Sequence, residues 1–430
     1  MRRAGFLALG VLLAGCGPSG PVREGPWPER LSELAVLAQE DGTLAPQAGF
    51  AYTLAHPLFS DYAWKYRTIS LPEGSAASVV TNDDTLAFPV GTVITKTFAF
   101  PQGAAGAVRT VAAEPLVSSA AAFPLAAMRL METRVLRHTA AGWEAVSYQW
   151  NEAGTEAFYA PAGALVALTT EGGERFPYLI PDKNQCAGCH ETAMGTKVLK
   201  PIGPKPGNLA AHGFADGRSQ FEAWRAAGWV SAPEPATPWA APGSGMAAEA
   251  HAYLDANCAH CHSDTGAADT AGLDLRITAS ELGRGRCKTP VAAGRGSGGR
   301  AYDLWPGRPE ASILPFRLGH QDPGIMMPEL GRSLVHEEGV ALVEAWITAM
   351  DGDCAAGLSL SGPVGTLGDP RAPHRCGVAV GLQHDAALPH RRSPLGLARR
   401  QPLGPIRGAA RRLSRRSETR AGLASTDPAP

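Results

Sequence analysis

MAAEAHAYLDANCAHCH, Met246 to His262, is the stretch that decides how the chain reads. Ala250, Tyr253 and Leu254 recur at helical spacing, so a helix is predicted over Met246–Asn257 that runs directly into Cys-Ala-His-Cys-His. Two thiols three residues apart can add to the two vinyl groups of one haem, and the histidine that follows then lies under the iron. A second copy, CAGCH, spans Cys186 to His190. Cys186, Cys189, Cys258 and Cys261 are therefore the expected covalent attachment points of two haem c groups, with His190 and His262 as proximal iron ligands. A structural zinc site would ask for four spaced ligands, and a thioredoxin-like dithiol for a βαβ context. His260, inside the second motif, reads as a spacer.

Downstream of the second motif, Glu337–Met350 shows an apolar stripe of Val340, Val343, Trp346, Ile347 and Met350, with Glu337 and Glu338 in the favourable first turn. A helix before the motif and an aromatic-bearing helix at the end match the crossing pair of a class I cytochrome c. Between them lies Met326-Met327-Pro328, whose thioether can reach an iron's distal face. Met327 is preferred to Met326 as the distal ligand of the second haem, giving His/Met ligation suited to electron transfer. The first site is less regular. Pro177 and Pro181 exclude a leading helix, a short helix is expected over Gln220–Ala227, and Met194, His212 and Met246 are weak candidates for its sixth ligand. Without one the first haem would be open.

Ahead of the haem motifs the signals are β. Residues 93–100 (VITKTFAF) are branched and aromatic between Pro89 and Pro101, and residues 129–138 and 143–150 flank Ala140-Ala141-Gly142 as a hairpin. Ala164–Thr169 reads as a further strand, and a short helix is expected within Glu29–Gln39. Trp64, Tyr66, Trp143, Tyr148 and Trp150 read as core rather than as a binding groove. The fold expected from the whole is multidomain α+β: an N-terminal antiparallel β-rich domain followed by two haem-binding, mainly α cytochrome c-like modules. The expected divisions are a leader over 1–16, a tether over 17–49, the β-rich domain over 50–180, the first haem module over 181–245, the second over 246–356 and a basic tail over 357–430.

Arg2 and Arg3, an apolar run from Phe6 to Ala14, and Leu13-Ala14-Gly15-Cys16 form a lipoprotein signal with a lipobox. The expectation is a chain lipidated at Cys16 and held on the periplasmic side, with Gly17 favouring the outer membrane. The apolar run is too short to span a bilayer. The formal net charge is −1, but residues 358–430 carry twelve Arg and no Lys against four acids. That tail reads as a disordered extension, and the charge balance gives no case for nucleic acid. Fifty glycines and thirty-six prolines suit turn-rich structure.

The chain resembles an uncharacterised family of bacterial dihaem c-type cytochromes, often lipoproteins. The resemblance is carried by residues 57–72 (PLFSDYAWKYRTISLP), 88–98 (FPVGTVITKTF), 178–190 (YLIPDKNQCAGCH) with 201–205 (PIGPK), 252–262 (AYLDANCAHCH), 290–298 (PVAAGRGSG), 323–332 (PGIMMPELGR) and 336–347 (HEEGVALVEAWI). It covers about residues 50–354 and implies a periplasmic or surface dihaem protein, without implying a particular reaction.

Arg295 and Arg317 are candidate partners for haem propionates. The glycine loop around Arg295 lacks the Lys-Ser/Thr of a phosphate cradle. Cys287 and Cys354 are expected to pair in an oxidising compartment. Two functions follow as expectations. The first is a carrier passing single electrons between a periplasmic or membrane redox partner and a respiratory or redox chain. The second is a dihaem enzyme of peroxidase or oxidase type with an open first haem; a weaker third gives the β domain a binding role.

Overall fold

Six antiparallel strands form the central sheet, in the order Ala157–Tyr159, Gly142–Trp150, Met128–Thr139, Val93–Pro101, Trp64–Ser70 and Phe50–Tyr52. The structure, a computed structural model, describes residues 25–111, 122–193, 195–213 and 218–354. Cys16 and its leader, Met194 and the tail over 357–430 lie outside the described residues. Among the described residues no helix is long and apolar enough to cross a membrane.

Alternation gives the sheet two distinct faces, because successive side chains of a strand point to opposite sides. One face presents Ala51, Tyr66, Val135, Val146 and Tyr148 to a layer built from Leu31, Leu37, Leu44 and Phe123. On that side Thr68 and Thr95 share a hydroxyl hydrogen bond of 2.6 Å, and Thr97 and Thr133 one of 2.7 Å. The opposite face presents Phe50, Ile69, Ile94, Leu136 and Ala145 to Cys186, Leu209, Phe221 and Trp224. Phe50 stacks on Trp229 at 3.8 Å and meets Trp224 edge-on at 4.8 Å. A separate hairpin, Ala164–Thr169 with Arg175–Ile180, closes one end of the sheet over Phe98, Phe100 and Met131.

The expected hairpin closes at Thr139 opposite Gly142, leaving Ala140 and Ala141 as its loop. The helix expected within Glu29–Gln39 is corrected: Leu31–Leu34 is one turn of 3-10 helix, and Leu37–Glu40 is a strand paired with Thr43–Pro46.

The larger correction concerns the fold class. Two mainly α cytochrome c-like modules do not follow the β-rich part; the described chain is β-rich, with six α-helices among the described residues. Local chemistry explains the first departure. The prolines of residues 177–206 interrupt helix formation, so the helices Lys183–His190 and Pro206–Ala210 are short, and with Gln220–Ala226 they bury their apolar residues in one cluster with the sheet face. In the second region Met246–Asn257 and Glu337–Thr348 pack through Ala250, Leu254, Val343, Trp346 and Ile347. Between them the glycine-rich chain is largely irregular, with one further α-helix, Ile313–Leu318.

Candidate functional site

The first motif lies in the second half of the Lys183–His190 helix. Asp182 caps it, accepting from the backbone N–H groups of Asn184 and Gln185, while Gln185 accepts from that of Asp182. A helix starting two residues after Pro181 thus fixes Cys186 and Cys189 three residues apart on one side. Cys186 is buried against the sheet. The second motif follows the Met246–Asn257 helix at once, and His262 donates its backbone N–H to Cys258 at 2.9 Å.

The two motifs meet. Cys261 Sγ lies 4.0 Å from the Gly188 carbonyl oxygen, and Cys189, His260 and Cys261 border one cavity. The Cys261 thiol and His260 hold the Cys189 thiol well below its usual range. Burial raises the Cys186 thiol and pushes that of Cys258 up to about 12.

Two cavities adjoin this junction. One, bordered by Cys186, Cys189 and His190, is walled by Phe59, Lys96, Arg134, Tyr253, Arg332 and His336. The other, of about 550 Å³, is bordered by Cys258, Cys261, His262, Arg284, Arg317 and Met327, within the range of about 300–1,000 Å³ usual for cofactor-sized pockets. Cys189, Asn257, His260, Met327, Pro328 and Leu330 line both.

The histidines have the state an iron ligand needs. His190 Nδ1 lies 2.7 Å from the Lys200 carbonyl. A carbonyl can only accept, so Nδ1 carries the proton and Nε2 keeps its lone pair. Burial pushes His190 and His262 down to about 4, which leaves both imidazoles neutral at pH 7. His262 Nδ1 and Arg284 Nε are buried without a hydrogen-bond partner.

The second cavity fits a haem in both size and donors, whereas the one beside His190 offers the donors in a space of about 80 Å³. The macrocycle brings four nitrogen donors of its own, so one or two protein ligands suffice. Among the described residues no three His, Cys, Asp or Glu side chains gather into a cage for a bare ion. A tetrahedral zinc site therefore has no donor set here.

The remaining expected site residues separate clearly. Met327 shares a cavity wall with His262, whereas Met326 is buried away from it. Arg317 lines that cavity and donates to the Ile325 carbonyl at 2.8 Å. Arg295 does not line it; its guanidinium pairs at 3.0 Å with Asp322 on the surface. Cys287 and Cys354 are joined by a disulfide. His212 is buried and Met246 exposed, and neither borders the His190 cavity.

Sequence reasoning missed Lys96, Arg134, Arg284, Arg332 and His336. Lys96 had a legible signal, since it shares strand parity with Ile94 and Phe98, both inward-facing. His336 had none; it reaches the cavity by stacking on Phe59 at 4.2 Å. Comparison with family models, curated proteins and solved structures gives no match to this chain.

Proposed function

We propose that the chain is a c-type cytochrome carrying two covalent haems, which exchanges single electrons between a periplasmic or membrane redox partner and a respiratory or redox chain. The observation that carries this reading is the meeting of two Cys-x-x-Cys-His motifs far apart in sequence, whose Cys189, Cys258, Cys261 and His262 border one cavity. Each bound haem would supply a one-electron iron couple. Cys186 and Cys189 would hold the first, with His190 as axial donor; Cys258 and Cys261 would hold the second, between His262 and Met327. Shared walls at Asn257, Met327 and Leu330 keep the two sites adjacent. Arg284 and Arg317 offer guanidinium groups to the second site. The lipid anchor at Cys16 is proposed from the leader sequence alone and would keep the protein close to membrane partners.

One observation favours the enzyme reading. Among the described residues the cavity beside His190 has no methionine of its own, since Met327 also borders the His262 cavity. Low-temperature EPR of the oxidised protein, with carbon monoxide added to a reduced sample, separates the two. Two low-spin haems and no carbon monoxide shift are expected. A single high-spin haem that binds carbon monoxide would replace the carrier by a dihaem oxidoreductase with an open first site.

A further inference from the structure

The cavity of Cys258, Cys261 and His262 has a buried cation in its wall that the fold leaves without a counter-charge. Arg284 borders that cavity and is 4% exposed. A terminal nitrogen of its guanidinium donates to the carbonyls of Ile277 (2.6 Å) and Arg276 (3.3 Å), which fixes the group in place without neutralising it. Its Nε is buried with no hydrogen-bond partner, and among the described residues Arg284 makes no ion pair. Three carboxylates act on it from a distance, Asp274, Glu281 and Asp255. Each is already taken. Asp274 accepts Nε (2.9 Å) and a terminal nitrogen (2.7 Å) of Arg276, Asp255 pairs with Lys205 at 2.6 Å, and Glu281 pairs with Arg286. The carboxylates of the cavity wall are no better placed. Asp303 pairs with Lys288 at 2.9 Å, and the largely exposed Glu329 lies 3.9 Å from Arg317. His251 Nε2 also lacks a partner, but burial pushes that imidazole down to about 4 and leaves it neutral.

A buried guanidinium is costly unless an anion meets it, and its planar fork matches two oxygens of one carboxylate. We propose that Arg284 anchors an oxyanion site in the second cavity, whose occupant is a carboxylate or a small inorganic oxyanion. Two sources share that chemistry, a propionate of the haem attached at Cys258 and Cys261 and a free anion entering the cavity. The first source rests on the dihaem reading. Arg317 and Arg295 are differently placed. Arg317 spends its Nε on the Ile325 carbonyl and has Glu329 beside it, and Arg295 pairs with Asp322 on the surface.

The test uses full-length protein with its haems attached. Haem content and the midpoint potential of each haem are compared for the wild type, Arg284→Gln, Arg284→Lys and Arg295→Gln. Arg284→Gln should lower the second haem's potential, because a nearby negative charge is left uncompensated, with both haems still attached. Arg284→Lys keeps the charge and should restore most of the potential; Arg295→Gln should not change it. Adding sodium acetate or inorganic phosphate to the wild type separates the sources. A lowered potential in Arg284→Gln without any anion response means a propionate fills the site; a saturable shift that Arg284→Gln abolishes means a free anion does. Unchanged potential in Arg284→Gln together with no anion response would overturn the proposal. If Arg284→Gln does not fold, haem labelled with carbon-13 at its propionate carboxyls is read by infrared spectroscopy in the wild type and Arg284→Lys. A labelled carboxylate band that shifts between the two supports the site, and identical bands with no anion response would overturn it. A wild type without haem at Cys258 and Cys261 would overturn the dihaem reading. In that protein, calorimetric binding of acetate or phosphate that Arg284→Gln abolishes would still support the oxyanion site, and no binding would overturn it as well.

Discussion

Met327 is held by its own backbone rather than by packing alone. The buried Arg332 guanidinium donates to the Met327 carbonyl through Nε (3.1 Å) and a terminal nitrogen (2.8 Å), and also to the carbonyls of Leu318 (3.1 Å), His320 (2.9 Å) and Leu334 (3.1 Å). One side chain therefore sets the path of the loop that carries the thioether. Met327→Ala should turn the second haem high-spin and lower its potential while both haems stay attached; an unchanged spectrum would refute that ligand. Arg332→Gln leaves several buried carbonyls without donors and should cost about 2–4 kcal/mol in urea unfolding. It should also let carbon monoxide compete for the second iron.

Asp61 fastens the other end of that loop by accepting from the backbone N–H groups of Ser333 (2.6 Å) and Leu334 (2.7 Å). Burial pushes its pKa up to about 6. The folded state then holds this proton more tightly than the unfolded chain does, so the Asp61 contribution is greatest below about pH 4. It falls as pH rises to about 6 and is level above, a change of roughly 3 kcal/mol. His190, His262 and His336, lowered mainly by burial, work in the opposite sense across the same window. The Asp61 part is therefore read as the difference between wild type and Asp61→Asn, which keeps the acceptor and removes the charge. Urea unfolding at pH 4, 5, 6 and 7 should show the asparagine variant gaining on the wild type as pH rises. Asp61→Ala, which strands two buried donors, should lose stability throughout.

At the scale of elements, what was legible were the pieces with local causes. The branched and aromatic run over 93–100 announced a strand and the Ala-Ala-Gly turn a hairpin, observed as Val93–Pro101 and as Met128–Thr139 paired with Gly142–Trp150. The apolar spacing of Met246–Asn257 and Glu337–Thr348 announced the packed helices. What was not legible depends on distant register. Arg67, Lys96 and Arg134 look like ordinary strand charges until pairing sets them side by side. Prolines signalled that the first motif lacked a leading helix, but not that its short helices would use the sheet face as their core. The Cys287–Cys354 bridge spans a sequence separation of 67 residues, enclosing the Met327 loop and the last helix. Closing a loop of that length restricts the unfolded chain, so the double Cys→Ser variant should lose about 4 kcal/mol in urea unfolding. No loss of stability would mean the bridge adds nothing to the fold.

Across the described residues, the β-rich body and the motif-bearing helices enclose two adjoining cavities with shared walls rather than two mainly α modules. Cys186 and Cys258 are each less than a tenth exposed, and burial suppresses their thiolates. On the dihaem proposal, attachment chemistry at those sulfurs is thus best served before the chain closes. The measurement that tests the account most directly is covalent haem stoichiometry, by intact mass and haemochrome spectrum, on protein matured in a host competent for c-type haem attachment. Two haems are predicted for the wild type, one for Cys186→Ala/Cys189→Ala and one for Cys258→Ala/Cys261→Ala. A wild type that emerges folded with no covalent haem would contradict the central claim.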